Sequence, residues 1–421
     1  MIMSDQLPAP NCDDLPERLL PIDEAMQRIV AAIEPLTDRV RLNVRSALGH
    51  VLAEDIFSPN DVPMHTNSAM DGYAVAADCL PVDGNVTLEV VGISWAGKAF
   101  KGSVKPGQCV RIMTGAVVPP DTDTVIMQEQ ASVSGDTIKV PGGHRKGNNV
   151  RYAGEDLPAG SIALRAGHRI SPADLGLLAS VGVGEVNCLR RPRVAFFSTG
   201  DELKSVGQQL ELGDVYDSNR YTLFGMLTRM GCEPVDMGVV PDDADATREA
   251  FISGARAADM LITSAGASVG DADFVQSTLN EIGQVTFWKM AMKPGRPLAF
   301  GNVSGTPFFG LPGNPVSVMV TFYQFVRPAL QKLSGEQIDS RLKFQARTIT
   351  RVRKRPGRAE FQRGHLRQNS AGELEVENTG DQGSGILSSM SVSNCFIVLD
   401  AEQGSVEAGD WVTVEPFAGL I

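Results

Sequence analysis

A chain of 421 residues with a formal net charge of −12, 43% hydrophobic and 21% charged residues is an ordinary globular composition, too long for a single core. Its acidity opposes general nucleic-acid binding, because phosphates are repelled except at a local basic patch. The six cysteines (Cys12, Cys79, Cys109, Cys188, Cys232, Cys395) show no C-x-x-C spacing, which argues against a disulfide framework or zinc site and fits a reducing, cytoplasmic compartment.

Residues 1–20 read as a tail, with acids and prolines where a secretory signal needs cations and an apolar stretch. No apolar run approaches the ~20 residues that span a bilayer, so no membrane partner is expected. From Ile22, "IDEAMQRIVAAIEPL" has helical apolar spacing to about residue 35, with Asp23 and Glu24 in its first turn. Over 58–156, short runs such as "VTLEVVGIS", "QCVRIM" and "DTVIMQ" alternate with Gly, Pro and Asp turns, the pattern of a β-rich domain. "SPADLGLLASVG" then reads as a helix capped by Ser171, with Pro172 first and Gly182 past its end. It is expected to pack on the helix at 22–35, so that 21–57 and 157–192 form one linker domain split by the β insert.

Over 193–335 the pattern is strand–helix alternation. The strands are "RVAFFS", "EPVDMGVV" and "MLITS", and the helices lie near 218–230 (started by Ser218), 244–257 and 272–282. This predicts an α/β domain with a mostly parallel sheet covered on both faces, in a multidomain α/β plus β chain. Residues 336–421, with "RLKFQARTITRV", "ELEVENT", "NCFIVLD" and "DWVTVEP", predict a small C-terminal β domain resembling a barrel.

Ligands of parallel sheets bind at the carboxyl ends of the strands. There the sequence places Asp201 and Glu202, then Asp242 and Asp243, then Ser264 to Asp273, then Lys289, Lys293 and Arg296. Any one loop acid reads most simply as a helix cap or a solvated group; four such loops together suggest a shared cleft. Carboxylates with lysines suit a magnesium–phosphate ligand. In "SAGASVGDAD", the small residues Ser264, Gly266 and Ser268 let backbone amides approach a phosphate. Lys289 and Lys293 are an even number apart and would share one face of an extended chain, although lysines also blunt sheet edges. "GLPGNPVS" stiffens the loop that holds Pro312, Gly313, Asn314, Pro315 and Ser317. By composition alone Asp71 in "MDGYAV", Thr114 in "RIMTGA", Arg363 in "EFQRGHL" and Ser384 in "TGDQGSG" sit in ordinary turns. His65, His144, His168 and His365 have no ligand spacing.

"NSAMDGYA", "RIMTGA", "STGDEL", "GDVYDSN", "SVGDADF", "MKPGRP", "LPGNPVS" and "FQRG" occur in the order seen in MoeA-type molybdopterin molybdenumtransferases, the family of the gephyrin E domain. The resemblance covers nearly the whole chain. It implies Mg²⁺-dependent hydrolysis of adenylylated molybdopterin, release of AMP and insertion of molybdate at the dithiolene. It also implies an elongated homodimer with active sites shared between subunits, and an upstream adenylyltransferase as a possible partner. By resemblance, Glu202, Asp242 and Asp273 are the acids of the nucleotide and magnesium site. Asp71 and Thr114 reach in from the partner chain, and Lys289 and Lys293 face phosphate and oxyanion groups. Pro312 and Pro315 form the rigid loop, with Ser317, Arg363 and Ser384 near the molybdate position, and Asp156 matches a further functional position. Ala265 stands where relatives carry glycine. The rival readings are the adenylyltransferase itself, which would lack the flanking β regions, and a scaffold protein, which would not require the acids and lysines together.

Overall fold

The computed structural model describes residues 19–265, 273–338, 341–417 and 419–421. They fall into two compact units, one of Val40–Cys188 and one that joins the chain before residue 40 to Leu189–Ile421. Two helices contribute early. Helix α1 is Ile22–Ala32, and α2 is Pro172–Ser180.

In the unit Val40–Cys188, the main sheet comprises β1 (Gly72–Val75), β2 (Asn85–Ser94), β3 (Gln108–Ile112), β4 (Thr124–Met127), β5 (Ser132–Ser134) and β6 (Thr137–Pro141), in the order β4-β1-β3-β2-β6-β5. Strand β1 lies between β3 and β4 and is buried throughout. Tyr73 and Val75 pack into one core and Ala74 into another, as the two-residue period of a strand requires. A third core gathers Leu52, Leu164, Ile170 and Leu178 around α2. Ser171 and Asp174 cap that helix reciprocally, each side chain accepting the other's amide, at 3.4 and 2.7 Å.

The other unit holds a second sheet of β7 (Arg193–Thr199), β8 (Glu233–Val240), β9 (Met260–Ser264), β10 (Gly283–Lys289), β12 (Pro297–Val303) and β13 (Thr306–Leu311). Its order is β8-β7-β9-β13-β12-β10. Strands β8, β7, β9 and β13 are parallel, and β12 and β10 extend the edge by antiparallel pairing. In β7, Val194 and Phe196 join the core under α3 (Ser218–Arg229), α6 (Pro315–Thr321) and α7 (Arg327–Leu333). Ala195 and Phe197 join the core under α4 (Ala244–Ala257) and α5 (Asp273–Ile282). Burial on both faces explains the unbroken apolar run "VAFF". Helix α3 begins at Ser218, and its cap is Asp217, one residue earlier than the Ser218 signal suggested; the Asp217 carboxylate accepts the Arg220 amide at 3.2 Å.

The C-terminal strands β14 (Phe344–Thr348), β15 (Ala359–Gln368), β16 (Leu374–Asn378), β17 (Cys395–Leu399) and β18 (Trp411–Pro416) pair in the cycle β15-β16-β14-β18-β17-β15. This closes a five-stranded barrel around Ala346, Val376, Ile397, Val412 and Val414. A two-residue strand β11 (Met292–Lys293) joins its edge beside Ala359 and Glu360.

Two expectations change. Helix α1 stops at Ala32 because Ile33 is already extended and Glu34 precedes a proline, which disfavours helical backbone. Helices α1 and α2, expected to pack together, bury their apolar faces in different cores: Ala25, Ile29 and Ile33 join the core with Phe322 and Leu330, whereas Leu178 joins the core with Leu164. Periodicity reveals which face of a helix is buried, not what it is buried against.

At the amino ends of β7 and β9, Arg190 grips both oxygens of Asp259 at 2.6 and 2.7 Å and reaches Asp38 at 2.8 Å. Burial alone would raise the Asp259 carboxyl, but Arg190 and the Arg193 amide hold it below the ordinary aspartate range. A depressed folded value stabilises above the 3.8 of an ordinary aspartate and is lost as pH falls through it. Asp259→Asn is therefore expected to cost about 3 kcal/mol in urea unfolding at neutral pH. The gap between variant and wild type should narrow as the solution is acidified below that value.

Candidate functional site

Strands β7 and β8 pair with Thr199 opposite Val240, so the loops that follow them lie side by side. The Asp201 carboxylate accepts the Asp242 amide at 3.1 Å, joining the two loops directly. Lys204 fastens the first loop by donating to the Asp201 carbonyl at 3.0 Å. Asp243 takes the simple role and caps α4 through the Ala246 amide at 2.8 Å. Gly200 has φ +142°, and the Glu202 carboxylate folds over it where a side chain would otherwise stand. Glu202 and Asp242 remain exposed at neighbouring strand ends.

The ends of β9 and β13 are adjacent in the same way. Ser264 is fully buried, its hydroxyl shared with Ser198 at 2.8 Å. Ala265 takes φ +74°, the left-handed region that glycine occupies without steric cost. Gly266 and Ser268 lie outside the described residues, as does the side chain of Asp273, which opens α5. The Pro312–Pro315 turn abuts Ala265, and its Gly313 carbonyl accepts Asn219 Nδ2 at 2.7 Å. Asn314 is exposed as the N-cap, Pro315 starts α6, and Ser317 is buried within that helix.

The Ser384 loop is attached to the same helix start, because the Val316 amide donates to the Ser384 carbonyl at 3.1 Å. Arg363 sits beneath this loop with no exposed surface. Its Nε donates to Ser389 Oγ at 2.9 Å, and its Nη2 to the carbonyls of Gly383 and Asp381 at 2.9 and 3.4 Å. Burial pushes the guanidinium down to about 10. Arg363 is thus placed as an interior brace for residues 381–384.

Lys289 and Lys293 do not share a face of one extended chain. Pro294 and Pro297 lack a donor for the ladder, and the Met290 amide closes a loop onto the Arg296 carbonyl at 2.7 Å. Lys289 therefore ends β10 in the α/β sheet, while Lys293 belongs to β11 on the barrel. Strand β10 runs in the direction of β13, so Lys289 reaches the same sheet edge as Glu202. Four strand spacings separate them, roughly 19 Å. Lys293 is exposed, with Nζ 3.8 Å from the buried Glu360 carboxylate. The turn after Lys293 packs on α6, where a side chain added at Gly295 would meet Thr321 at 2.6 Å. The structure thus brings together Glu202 with Asp242, and Ala265 with Pro312–Pro315 and Ser384. It sets Lys289 apart along the edge. The run "RVRKRPGR" (351–358) lies beside Lys293 and belongs to none of the motifs above; its sequence signal is a burst of cations in an acidic chain.

In the unit Val40–Cys188, Asp71 and Thr114 meet. One Asp71 oxygen accepts both the Thr114 amide, at 2.7 Å, and its hydroxyl, at 2.8 Å. Gly72 lets β1 approach the Ile126 carbonyl so closely that no side chain fits, which fixes Asp71 just outside the sheet. The Thr114 amide, then its hydroxyl, hold the Asp71 carboxyl below the ordinary range. Asp156 is exposed, its amide bonded to the Val62 carbonyl at 3.0 Å.

Among the described residues no three His, Cys, Asp or Glu side chains converge as a closed metal site. Glu202 and Asp242 nevertheless offer exposed carboxylates at neighbouring strand ends. That open, oxygen-only donor set suits Mg²⁺, which keeps several waters and takes phosphate oxygens from its substrate. No helix of the described residues is long and apolar enough to cross a membrane.

A chain that carries a β-rich unit, an α/β sheet with acids at its carboxyl edge and a closed barrel defines a class, and three family matches cover it. They are the MoeA N-terminal region (domain I and II) over residues 20–182, the probable molybdopterin binding domain over 195–332, and the MoeA C-terminal region (domain IV) over 345–417. The chain belongs to the MoeA family. It is 44% identical to the molybdopterin molybdenumtransferase of Haemophilus influenzae over 96% of this chain and 100% of that one. It is 31% identical to gephyrin of Dictyostelium discoideum over 94% of this chain and 62% of that one. The crystal structure of molybdopterin biosynthesis moeA protein from Pyrococcus horikoshii superposes with a TM-score of 0.82 at 29% identity, covering 95% of this chain and 100% of that one.

Thr114→Val removes the hydroxyl donor and keeps the amide. The Asp71 carboxyl should then titrate higher, toward the ordinary aspartate value, when followed by carboxyl-carbon NMR across the acid range.

Proposed function

We propose that the chain is a molybdopterin molybdenumtransferase, acting on adenylylated molybdopterin and molybdate. The reading rests on one observation above the others: Glu202 and Asp242 stand exposed at adjacent carboxyl ends of parallel strands, with the fixed Pro312–Pro315 turn at the end of the neighbouring β13. The names of relatives such as the Haemophilus influenzae protein support it.

In this reading Glu202, Asp242 and Asp273 hold Mg²⁺. The ion, when bound, offsets charge on the pyrophosphate oxygens during hydrolysis. The chain's own groups do the rest. Gly200 gives the Glu202 carboxylate room to turn toward the ligand, and the Asp201–Asp242 hydrogen bond keeps the second carboxylate at a fixed spacing from the first. Asp242 and Glu202 orient the phosphate chain so that water attacks phosphorus, the anhydride P–O bond breaks and AMP leaves. Lys289 and Lys293 balance the charge of the remaining phosphate and the incoming oxyanion. The turn Pro312–Gly313–Asn314–Pro315, held by Asn219, presents a surface that does not reorganise during the reaction. Ser264, Gly266, Ser268, Ser317 and Ser384 are assigned to substrate binding by the sequence motifs. We propose further that the protein acts in the cytoplasm as a homodimer. Asp71, Thr114 and Asp156 would then complete the site of the partner subunit, with substrate supplied by an adenylyltransferase.

Purified protein with Mg²⁺, molybdate and adenylylated molybdopterin should release AMP, quantified by anion-exchange chromatography. Glu202→Gln or Asp242→Asn should lower that rate by about 100-fold or more with the fold intact by circular dichroism. No AMP from a validated substrate rejects the reading. Mixing inactive Asp71→Ala and Asp242→Asn chains should restore part of the activity once heterodimers form, and none if each chain works alone.

A further inference from the structure

The barrel carries a concentration of positive charge, part of which neither the fold nor the proposed hydrolysis uses. The segment "RVRKRPGR", residues 351–358, leads through a turn at 356–357 into β15, and burial alternates along residues 351–355. Val352 and Lys354 point inward and are buried; Arg351, Arg353 and Arg355 point outward and are exposed. Outward neighbours on such a segment repeat every ~6.6 Å, so their guanidinium groups line one side of a groove.

The backbone of this segment is fastened from behind. Val352 exchanges two hydrogen bonds with Val406 at 2.9 Å. Lys354 Nζ donates to the carbonyls of Gln403, Ala401 and Arg355 at 2.7, 3.1 and 3.3 Å. Arg351 is paired with Glu407 at 3.0 Å, but no carboxylate among the described residues lies within ion-pair distance of Arg353 or Arg355. These two arginines open onto a cleft of about 550 Å³ shared with Lys293 and Arg358. Among the described residues the one carboxylate in its wall is Glu360, which is buried, engaged by Gln362 at 2.8 Å and set 3.8 Å from Lys293. Among the described residues no aromatic ring lines the cleft, so they offer no platform for a base or a pterin.

We propose that this cleft is a docking site for small tetrahedral oxyanions, held by Arg353 and Arg355 at one side and delivered to Lys293 at the other. Naming molybdate as the physiological occupant rests on the function proposed above; the site itself does not. Arg363 is a separate group, enclosed, with its Nε and Nη2 engaged by Ser389 and two carbonyls. Arg353 and Arg355 are exposed, unpaired and face the same space as Lys293.

The probe is molybdate alone, without pterin, measured by equilibrium dialysis at low ionic strength. Arg353→Gln with Arg355→Gln should weaken binding by roughly tenfold or more, since each charge-assisted contact is lost. Arg353→Lys with Arg355→Lys should keep most of it, which separates charge from packing. Added salt should weaken wild-type binding, because exposed charges are screened. Sulfate and phosphate should displace molybdate, since the cleft distinguishes charge and shape rather than the metal. Unchanged affinity in the double Gln variant, or failure of both anions to compete, overturns the proposal. Molybdate binding that survives in a protein releasing no AMP rejects the activity and leaves the docking site standing; the opposite result does the reverse.

Discussion

The site loops owe their positions to one constraint, the parallel ladder of β8, β7, β9 and β13. Parallel strands need a crossover between them, so every carboxyl end emerges at the same edge and every return path runs through a helix. Because β7 is buried on both faces, its register cannot slip. A one-residue shift would exchange Val194 and Phe196 with Ala195 and Phe197 between two differently shaped cores. Residues 200–202, 241–243, 265 and 312–315 are therefore located by apolar packing some distance below them. The polar bonds among them, such as Asp201 with Asp242 and Asn219 with Gly313, refine a placement that the core has already imposed.

What the sequence made legible follows from how local each signal is. The α2 cap, the extents of α4 and of β7, and the alternation of strands with helices depend on residues within one or two turns, and the structure has them close to where the patterns pointed. The choice of partner is not local. The stripe Ala25, Ile29 and Ile33 says that one face of α1 is buried; only the folded chain says that the covering surface is α7 and its neighbours. The same limit separates Lys289 from Lys293. Even spacing implies a common face only on an unbroken strand, and two prolines with a closed loop at 290–296 break it. Arg363 shows the limit for a single side chain. By composition Arg363 passes for a turn residue, yet it lies within strand β15, and three acceptors from the 381–389 segment allow it to be buried entirely.

The pair Asp71 and Thr114 is a different case. Composition made both ordinary turn residues, and only the resemblance singled them out. The folded unit supplies the physical reason that the two motifs belong together in this chain. Gly72 is required by the approach of β1 to β4, and that approach brings Asp71 to the amide and hydroxyl of Thr114. Neither motif has this geometry without the other. Ala265 likewise acquires meaning only with its backbone angle, since a methyl at φ +74° is tolerated by a loop whose path is set from both sides, by β9 and by the Pro312–Pro315 turn.

Electrostatics then explains why the acids and the cations of the α/β unit stand apart. A protein of net charge −12 can attract an anion only where the local field is reversed. Had Lys289 been beside Glu202, the two would form an exposed ion pair worth little, and each would cancel the other's pull on a ligand. Roughly 19 Å of sheet edge lies between them instead, more than two Debye lengths of about 8 Å at physiological salt. The carboxylates at the ends of β7 and β8 can thus favour a cation while the far edge, continued by Lys293 and the arginines of 351–358, favours an anion. A ligand that carries both a metal-bound phosphate and a separate oxyanion needs those two fields at once, and only a surface long enough to keep them unscreened from within and screened from each other can hold both.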